Sequence, residues 1–276
     1  MASTVFITGC SSGIGAAAVR HFAAQGWNVA ATLRQPGTAR FEQGAGCVQA
    51  FALDVTDPDS VDAAVRQALA RFGAIDVAIN NAGYGLFGPF ETATPEVVDR
   101  QMRTNVGGVF AVTRAVLPGM RERGRGVIIN VASLTGLVAM PLYSLYAASK
   151  FAVVGFSQSL SHELAPLGIR VKVFTPGAVA TDFSGRSLAR TFEGDGGPYA
   201  DSIRKAQAAF GANRGAAGNA MTPEQLAQAL YGAATDGSAQ VLYVTGEDAQ
   251  AVLKARHELG EEALLAGMRQ RFGLGV

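Results

Sequence analysis

Two residues four positions apart, Tyr146 and Lys150, have side chains that could move a proton to or from a reacting oxygen. A proton donor works best when its pKa lies near the working pH, and a free phenol titrates at about 10. Bringing it near 7 takes about 4 kcal/mol of phenolate stabilisation, at about 1.36 kcal/mol per pKa unit. On a predicted helix the two side chains share one face, where an ammonium favours the phenolate. A lone Tyr-x-x-x-Lys is usually helix surface, so the pair needs support from the rest of the chain.

A glycine-rich segment near the N-terminus is typical of a phosphate-binding turn. It reads Thr8-Gly9-Cys10-Ser11-Ser12-Gly13-Ile14-Gly15 and opens into an apolar helical run from Ala16 to Ala24. Glycines permit a tight turn and let the backbone approach a pyrophosphate, whose charge then meets the helix N-terminus. A plain strand-to-helix turn is the alternative. The position between the first strand and the first helix favours a dinucleotide site.

The end of the second predicted strand indicates which dinucleotide binds. An acid there binds the ribose hydroxyls of NAD, whereas a basic residue accommodates the 2′-phosphate of NADP. No Asp or Glu lies between Ala16 and Phe41, and Arg34 closes the strand. The alternative is that Arg34 is a solvated surface residue. We therefore expect a preference for NADP(H), with NAD(H) as the second option.

The elements that would hold these residues alternate between short β-branched runs and longer helical stretches. Helix starts are marked by Asp57-Pro58, Thr94-Pro95 and Thr222-Pro223. This alternation predicts an α/β fold, a Rossmann-type doubly wound parallel sheet of about seven strands with helices on both faces. The predicted strands are Thr4–Thr8, Trp27–Leu33, Cys47–Leu53, Asp76–Asn80, Val127–Ser133, Ile169–Thr175 and Val241–Thr245.

The domain organisation follows from the absence of linkers and repeats. No Pro-rich or like-charged stretch divides the chain, so we expect one domain over residues 1–276. Between Phe183 and Met221 the sequence becomes rich in Gly, Ala and Ser, and strand signals are weak. We interpret this segment, 183–221, as an insertion that closes over a substrate. The alternative is that it is disordered.

Bulk composition excludes several classes of partner. The chain has 276 residues, of which 49% are hydrophobic, and 23 Lys and Arg balance 22 Asp and Glu for a net charge of +1. That charge attracts neither nucleic acid nor an anionic membrane surface. Cys10 and Cys47 form no CxxC pair, and the three histidines lack metal spacing, so we expect no metal. With no signal peptide and only an interrupted apolar window at 127–149, we expect a soluble cytoplasmic protein.

Several motifs in a fixed order make the sequence resemble the short-chain dehydrogenase/reductase family. The resemblance covers most of the chain and is nearest to the 17β-hydroxysteroid and retinol dehydrogenase branch. The motifs are the TGxxxGxG turn, Asp54-Val55, Asn80-Asn81-Ala82-Gly83, Asn105, Ser133, Tyr146-Ala147-Ala148-Ser149-Lys150 and Pro176-Gly177-Ala178-Val179-Ala180-Thr181.

The resemblance implies a role for each motif. Tyr146 would be the acid/base, Lys150 would lower its pKa and bind ribose, Ser133 would position the reacting oxygen, and Asn105 would support a proton relay. The remaining matched residues would bind the cofactor, together with Arg34. They are Gly9, Ser11, Ser12, Gly13, Ile14, Gly15, Asp54, Val55, Asn81, Ala82, Gly83, Pro176, Gly177, Val179 and Thr181.

An apolar substrate pocket is expected in the loops that leave the carboxyl ends of the strands, where α/β folds bind ligands. For the leucines and Val138, the alternative that they fill the core has equal weight. The resemblance implies a small apolar ketone, aldehyde or alcohol, steroid-like or retinoid-like. The candidate pocket residues are Leu86, Phe87, Val138, Met140 and Tyr143.

Two other functions and one assembly are compatible with these patterns. Sugar-nucleotide epimerases and dehydratases share Tyr-x-x-x-Lys, but their turn typically runs TGxxGxxG. A protein that senses NADP without turnover would share the fold. The run from Phe151 to Phe156 is apolar on nearly all sides, which favours self-association, and the resemblance implies a homodimer or homotetramer.

Overall fold

A parallel sheet of seven strands forms the centre of the protein, as the alternating pattern predicts. The computed structural model describes residues 2–38, 41, 45–216 and 220–275. The sheet order is β3-β2-β1-β4-β6-β7-β9, and β5 and β8 pair separately. The seven predicted strands are all present, with ends shifted by one or two residues. In chain order the strands are β1 Thr4–Ile7, β2 Asn28–Leu33, β3 Val48–Ala52, β4 Val77–Asn80, β5 Gly85–Phe87, β6 Gly126–Val131, β7 Ile169–Pro176, β8 Leu188–Arg190 and β9 Leu242–Thr245.

The helices begin where the capping residues predict. Asp57 accepts a hydrogen bond from the Asp59 amide, and Thr222 with Gln225 forms a complete capping box. In chain order the helices are α1 Gly13–Ala24, α2 Pro58–Phe72, α3 Pro95–Met102, α4 Gly108–Glu122, α5 Ser144–Leu164, α6 Phe183–Arg186, α7 Ala200–Ala216, α8 Pro223–Thr235, α9 Glu247–Leu259 and α10 Glu261–Arg271.

Helices cover both faces of the sheet, which confirms the doubly wound architecture. On one face α1 and α8 pack through Phe22 and Leu226, and on the other α2, α4 and α5 contact side chains such as Phe6. Successive residues of β1 point to opposite faces of the sheet. Because Val5 and Phe6 are both fully buried, both faces of this strand are covered. A parallel strand that is buried on both faces explains the continuous apolar runs in the sequence.

A buried polar chain fixes α5 against the sheet. The Asn80 side-chain amide donates to the side-chain oxygen of Asn130 at 2.8 Å, and the Asn130 side-chain amide donates to Ser157 Oγ at 2.8 Å. Asn80 and Asn130 face each other in the register of β4 and β6. Because buried polar groups must find partners, these bonds specify one position of α5, the helix that carries Tyr146 and Lys150.

The described residues of the segment 183–221, which do not include 217–219, have regular structure. It contains α6, β8 and α7, and β8 pairs in parallel with β5. Two further contacts attach it to the 89–92 turn: Thr191 Oγ1 donates to the Pro89 carbonyl at 3.0 Å, and Tyr199 Oη donates to Glu91 at 2.6 Å. Strands of three residues carry no readable period, which is why the sequence predicted neither β5 nor β8.

The C-terminal helices α9 and α10 form a hairpin that packs beside the loop before α5. The Arg256 guanidinium donates to the Leu137 carbonyl at 2.6 Å and pairs with Glu261 at 2.6 Å. One side chain thus joins both helices to that loop. Within the described residues, none of the helices is both long and apolar enough to cross a lipid bilayer.

Candidate active site

The sequence-predicted residues gather at one edge of the sheet. Strand β1 has β2 on one side and β4 on the other, so the chain reverses its direction of winding there. A crevice opens at such a switch point, outside the carboxyl ends of the strands. The glycine turn follows β1, Arg34 follows β2 and Ser133 follows β6. The other cofactor candidates follow β3, β4 and β7.

The glycine turn adopts a conformation that only small residues permit. Gly9 and Gly13 have φ of 73° and 54°, in the left-handed region. A Cβ on Gly15 would collide with the Gly9 carbonyl and lie 2.7 Å from the Asn81 side-chain nitrogen. Ser11 and Ser12 are exposed at the start of α1, beside half-buried Ile14. The amides at this helix start are therefore open to an anion.

Residues after β4 hold the turn in place. Asn81 donates from its side chain to the Thr8 carbonyl at 2.9 Å, and Thr8 Oγ1 accepts the amides of Asn81 and Ala82, each at 3.0 Å. Gly83 is exposed next to them. Asn81 and Ala82 thus support the shape of the turn in addition to bordering the crevice.

A charged rim lies at the ends of β2 and β3. Arg34 is exposed, and half-buried Asp54 accepts hydrogen bonds from the Thr56 amide at 2.9 Å and hydroxyl at 2.7 Å. Those hydrogen bonds, with smaller help from Arg34 and Arg103, hold the pKa of Asp54 below its usual range. Val55, half-buried, packs against α4 at Gly108, where a Cβ would lie 2.7 Å from Val55 Cβ.

Ser133, Tyr146 and Lys150 come together at the start of α5. The Ser133 hydroxyl donates to Thr135 Oγ1 at 3.2 Å and lies near enough to the Tyr146 hydroxyl to lower its pKa, and the Lys150 ammonium lies 5.8 Å from the Tyr146 ring centroid. Lys150 donates to the Val131 carbonyl at 2.9 Å. Residues after β6 and within α5 therefore form one polar cluster, in which Tyr146 and Lys150 are buried and Ser133 is partly accessible.

Burial sets the direction of both pKa shifts in this cluster. Burial raises the pKa of Tyr146 to about 12, against an opposing hydrogen bond from Ser133. Burial also lowers the pKa of Lys150 to about 8. The sequence argument expected Lys150 to lower the pKa of Tyr146, and in this structure the shift is the reverse. The reason is that desolvation penalises the phenolate more than the neighbouring groups stabilise it.

Asn105 occupies an irregular turn between α3 and α4. Residues Arg103–Gly107 form a π-helical turn, a feature frequent at functional sites. The Asn105 side chain donates to the Tyr84 carbonyl at 2.9 Å and to Ser149 Oγ at 3.1 Å, and accepts from the Tyr84 amide at 3.0 Å. A Cβ on Gly83 would lie 3.1 Å from Asn105 Oδ1 and 3.7 Å from Lys150 Nζ. Asn105, Gly83 and Lys150 are therefore neighbours.

The segment from Pro176 to Thr181 borders the crevice after β7. Pro176 is buried, and Gly177, Val179 and Thr181 are half-buried. Val179 pairs with Met221 through an isolated parallel β-bridge. Thr181 lies next to Gly13, where an added Cβ would be 3.4 Å from the Thr181 methyl group. The segment thus reaches back to the glycine turn.

Asp248 is a site residue that sequence reasoning missed. Its carboxylate accepts the Ala178 amide at 2.7 Å and lies against Gly177, so the first turn of α9 holds the segment after β7. The two positions are 70 residues apart in sequence, and an acid in the first turn of a helix is an ordinary capping feature. No local pattern in the sequence distinguishes an acid that only caps a helix from one that also holds the segment after β7.

An aromatic wall lies beside Tyr146, and sequence reasoning identified part of it. Of the predicted pocket residues, Phe87 and Tyr143 belong to the wall, with ring centroids 5.2 Å apart, and Tyr143 lies 5.9 Å from the Tyr146 ring. Met140 is half-buried next to it. Leu86, Phe87 and Val138 are only 2%, 3% and 1% exposed, so all three side chains pack in the core, which was the alternative interpretation for Leu86 and Val138. The wall also contains aromatic residues that the sequence did not indicate, namely Phe183, Phe192, Phe210 and Phe272.

The loop that carries this wall is strained just before α5. Leu142 has φ of 61°, the one non-glycine residue of the described chain in the left-handed region. Its carbonyl accepts the Gly88 amide at 2.8 Å, which ties the loop to the end of β5. Such strain persists where surrounding contacts enforce it, and it is common at ligand sites.

A metal site is not evident in the part of the chain that the structure describes, where His, Cys, Asp and Glu form no group of three suited to an ion. Cys10 is fully buried in the glycine turn and its thiol donates to the Ile7 carbonyl at 3.1 Å. Burial raises the pKa of Cys10 to about 12, so this thiol packs as a small apolar group.

Three curated proteins illustrate the similarity of this chain to known sequences. An uncharacterized oxidoreductase of Schizosaccharomyces pombe is 34% identical over 242 residues, 88% of this chain and 100% of its own length. The 3-ketodihydrosphingosine reductase of Bacteroides thetaiotaomicron is 41% identical over 199 residues, 72% of each chain. Human retinol dehydrogenase 8 is 39% identical over 193 residues, 68% of this chain and 62% of its own length.

Solved structures share the fold. A short-chain dehydrogenase from Streptomyces avermitilis superposes with a TM-score of 0.81 at 30% identity and covers 100% of both chains. The 3-ketoacyl-(acyl-carrier-protein) reductase from Brucella melitensis, in complex with NADH, has a TM-score of 0.72 at 32% identity over 88% of this chain and 94% of its own. ElxO with NADP bound has a TM-score of 0.70 at 25% identity, over 88% and 97%.

The family model for short chain dehydrogenases matches residues 3–190, from β1 to the end of β8. This range includes the glycine turn, the residues after β3 and β4, the π-helical turn, and the cluster of Ser133, Tyr146 and Lys150. With the sheet order and the identity to full-length relatives, the match shows that this protein belongs to the short-chain dehydrogenase family of oxidoreductases.

Proposed function

We propose that the protein transfers a hydride between NADP(H) and the carbonyl or alcohol carbon of a small apolar molecule. The observation that carries the proposal is the cluster of Ser133, Tyr146 and Lys150 at the same strand edge as an open glycine turn. The turn provides space and amides for a pyrophosphate, and the hydroxyl pair provides a proton near an apolar wall.

The residues of the crevice fit a dinucleotide. Gly9, Gly13 and Gly15 leave a cradle in which added Cβ atoms would meet backbone or neighbouring side chains, so the space near the helix start depends on glycine. The open Gly83 and the segment after β7 border the same crevice. When bound, a nicotinamide supplies the hydride, which no side chain of this protein can supply.

The chain's own residues handle the proton. A phenol with pKa raised to about 12 stays protonated at neutral pH, so Tyr146 holds the proton in the free protein. Donation to a substrate oxygen then requires Lys150 to lower this pKa once cofactor and substrate occupy the site. Ser133 positions that oxygen through its hydroxyl, as a preorganised donor. Lys150, whose pKa burial lowers to about 8, can exchange a proton near neutral pH, and Asn105 supports its surroundings from the π-helical turn.

The preference for NADP(H) rests on Arg34. It is exposed at the end of β2, where its guanidinium can form charge-assisted hydrogen bonds with a 2′-phosphate. Related structures contain either cofactor, so NAD(H) is the competing choice.

Self-association through α4 and α5 belongs to the same proposal. Phe110 and Phe151 are each 40% exposed, and the Phe110 ring packs at a tilt against Phe156, with the ring centroids 4.5 Å apart. A homodimer or homotetramer would cover this apolar surface. Light scattering of the purified protein measures the assembly, and a monomeric mass at micromolar concentration would contradict self-association.

We further propose that the described elements form one domain and that the protein is cytoplasmic.

Tyr146→Phe tests the function. The variant keeps the ring packing but lacks the proton, so we expect loss of NADPH-dependent ketone reduction by at least about a hundredfold. Cofactor affinity, measured by fluorescence titration, should change little. Tyr143→Phe is the matched control, because it removes a neighbouring hydroxyl and should keep most activity. Unchanged turnover in Tyr146→Phe would refute the assignment, and cofactor binding without turnover in the parent protein would favour a sensor.

A further inference from the structure

A cluster of buried polar side chains lies between the end of α3 and the first turns of α5. Gln101 and Ser149 are fully buried, and Asn105 is 1% exposed. Gln101 and Asn105 are four residues apart, so their side chains lie on one face of the helical segment. That face meets α5 at Ser149. Gln101 belongs to none of the sequence motifs described above.

The two side-chain amides share the same two acceptors. Asn105 donates to the Tyr84 carbonyl at 2.9 Å and to Ser149 Oγ at 3.1 Å. Gln101 donates to the same carbonyl at 3.2 Å and to the same hydroxyl oxygen at 3.5 Å. An amide NH₂ group has two donors, so these contacts use both donors of each side chain. Two amides and two acceptors therefore form a closed arrangement that fixes both side chains.

Ser149 connects this arrangement to the turn of α5 that carries Tyr146 and Lys150. Its hydroxyl donates to the Tyr146 carbonyl at 2.7 Å. Since a hydroxyl has one proton and two lone pairs, it can at the same time accept from both amides. Ser149 directly precedes Lys150 in the chain. The position of this turn is thus held from outside α5, by Gln101 and Asn105.

Tyr84 connects the same arrangement to the cofactor crevice. Its carbonyl accepts from both side chains, and its amide donates to Asn105 Oδ1 at 3.0 Å. Gly83, which borders the crevice, directly precedes it. Loss of the Gln101 amide would leave both bonds between Tyr84 and Asn105 in place. A substitution of Gln101 should therefore disturb the turn of α5 more than the crevice.

We propose that Gln101 is a positioning residue that acts through Ser149 to hold Tyr146 and Lys150 in the geometry that proton transfer requires. Its donors are both used within the protein, so it acts through its neighbours. A displacement of about 1 Å in a reacting group can lower a rate about a hundredfold, which makes a second amide at Ser149 important for the rate. This inference rests on the proposed function and adds a residue to its machinery.

Gln101→Met tests the proposal, because methionine has a similar length and no N–H donor. In the full-length protein we expect the single-turnover rate of NADPH oxidation, with the fastest of a panel of aliphatic, aromatic and steroid ketones, to fall about tenfold. The Kd for NADPH should change less than about twofold, since Asn105 still holds Tyr84.

A double-mutant cycle with Ser149→Ala shows whether Gln101 acts through Ser149. Ser149→Ala should slow the reaction by a similar factor. The double variant should be no more than about twofold slower than the slower single variant, because both substitutions cut the same connection. Should Gln101→Met not fold by circular dichroism, Gln101→Glu takes its place, since it keeps the side-chain shape and lacks the NH₂ group.

Thr113→Val is the matched control. Thr113 is a buried residue of α4 whose hydroxyl accepts from Asn80 at 3.2 Å, and Asn80 also donates to Asn130. The variant should lower the thermal stability without slowing the reaction. An unchanged rate in Gln101→Met, or losses that multiply to about a hundredfold in the double variant, would overturn the inference while leaving ketone reduction intact. Absence of reduction of every ketone by the parent protein would instead overturn the proposed function.

Discussion

The Lys150 ammonium donates a hydrogen bond to the Val131 carbonyl at 2.9 Å. The last residue of β6 thus holds a buried cation next to Tyr146. A charge in this position costs stability, and that cost can be measured.

Lys150→Met should be more stable than the parent protein at pH 7. Burial lowers the pKa of Lys150 from 10.5 to about 8, so the folded state binds fewer protons than the unfolded state between these values. Below pH 8 the parent protein therefore gains no stability from deprotonation of Lys150. Its free energy of unfolding then increases between pH 8 and pH 10.5. After loss of the Val131 hydrogen bond, we expect a gain of about 1–2 kcal/mol at pH 7.

Urea unfolding of the cofactor-free protein at pH 7 and pH 10.5 measures this difference. The gain should shrink at the higher pH, where Lys150 is neutral in the folded state and about half of it is deprotonated in the unfolded state. Lys254→Met, at an exposed lysine of α9, should show no such dependence. A gain that is the same at both pH values would contradict a buried charge.

Arg34→Asp should reverse the cofactor preference. The change removes the donors for a 2′-phosphate and adds an acceptor for ribose hydroxyls at the end of β2. We expect the KM for NADP to rise about tenfold to a hundredfold, with a much smaller change for NAD. Steady-state kinetics with both cofactors gives the ratio, and an equal rise in both KM values would show that Arg34 does not contact the phosphate.

Gly15→Ala should destroy the glycine turn. The added Cβ would collide with the Gly9 carbonyl and lie 2.7 Å from the Asn81 side chain, so we expect loss of cofactor binding and about 1–3 kcal/mol of stability. Gly232→Ala in α8 is the control. Its Cβ meets nothing within 4 Å, and alanine is the better helix former, so stability should rise by about 0.5–1 kcal/mol. Cofactor titration and thermal unfolding would distinguish the two outcomes.

Asp248→Ala should release the segment after β7 from α9. The Ala178 amide would lose its acceptor at 2.7 Å, which we expect to raise the KM for cofactor and lower kcat by about tenfold. Asp248→Asn retains one acceptor oxygen and should restore most of both parameters. Failure of Asn to rescue, or a change in thermal stability without any change in kinetics, would indicate a structural role alone.

Local patterns predicted much of the fold. Strands β1, β2, β4, β6 and β7 were readable because a parallel strand buried on both faces must be apolar over its length. The edge strands β3 and β9 are partly exposed and were readable only as short, mostly apolar runs. The turn at Gly9 was readable because only glycine fits its backbone. By contrast, no local pattern indicated β8 and α7, which lie in the described part of 183–221.

The sequence by itself determined the parallel sheet, the glycine turn and the helical spacing of Tyr146 and Lys150, since each depends on residues close together in the chain. Only the tertiary structure decided that Asp248 holds the segment at Ala178, that Gln101 and Asn105 share Ser149 as an acceptor, and that the pKa of Tyr146 rises to about 12. These depend on contacts between distant segments and on burial, and both arise only when the chain has folded.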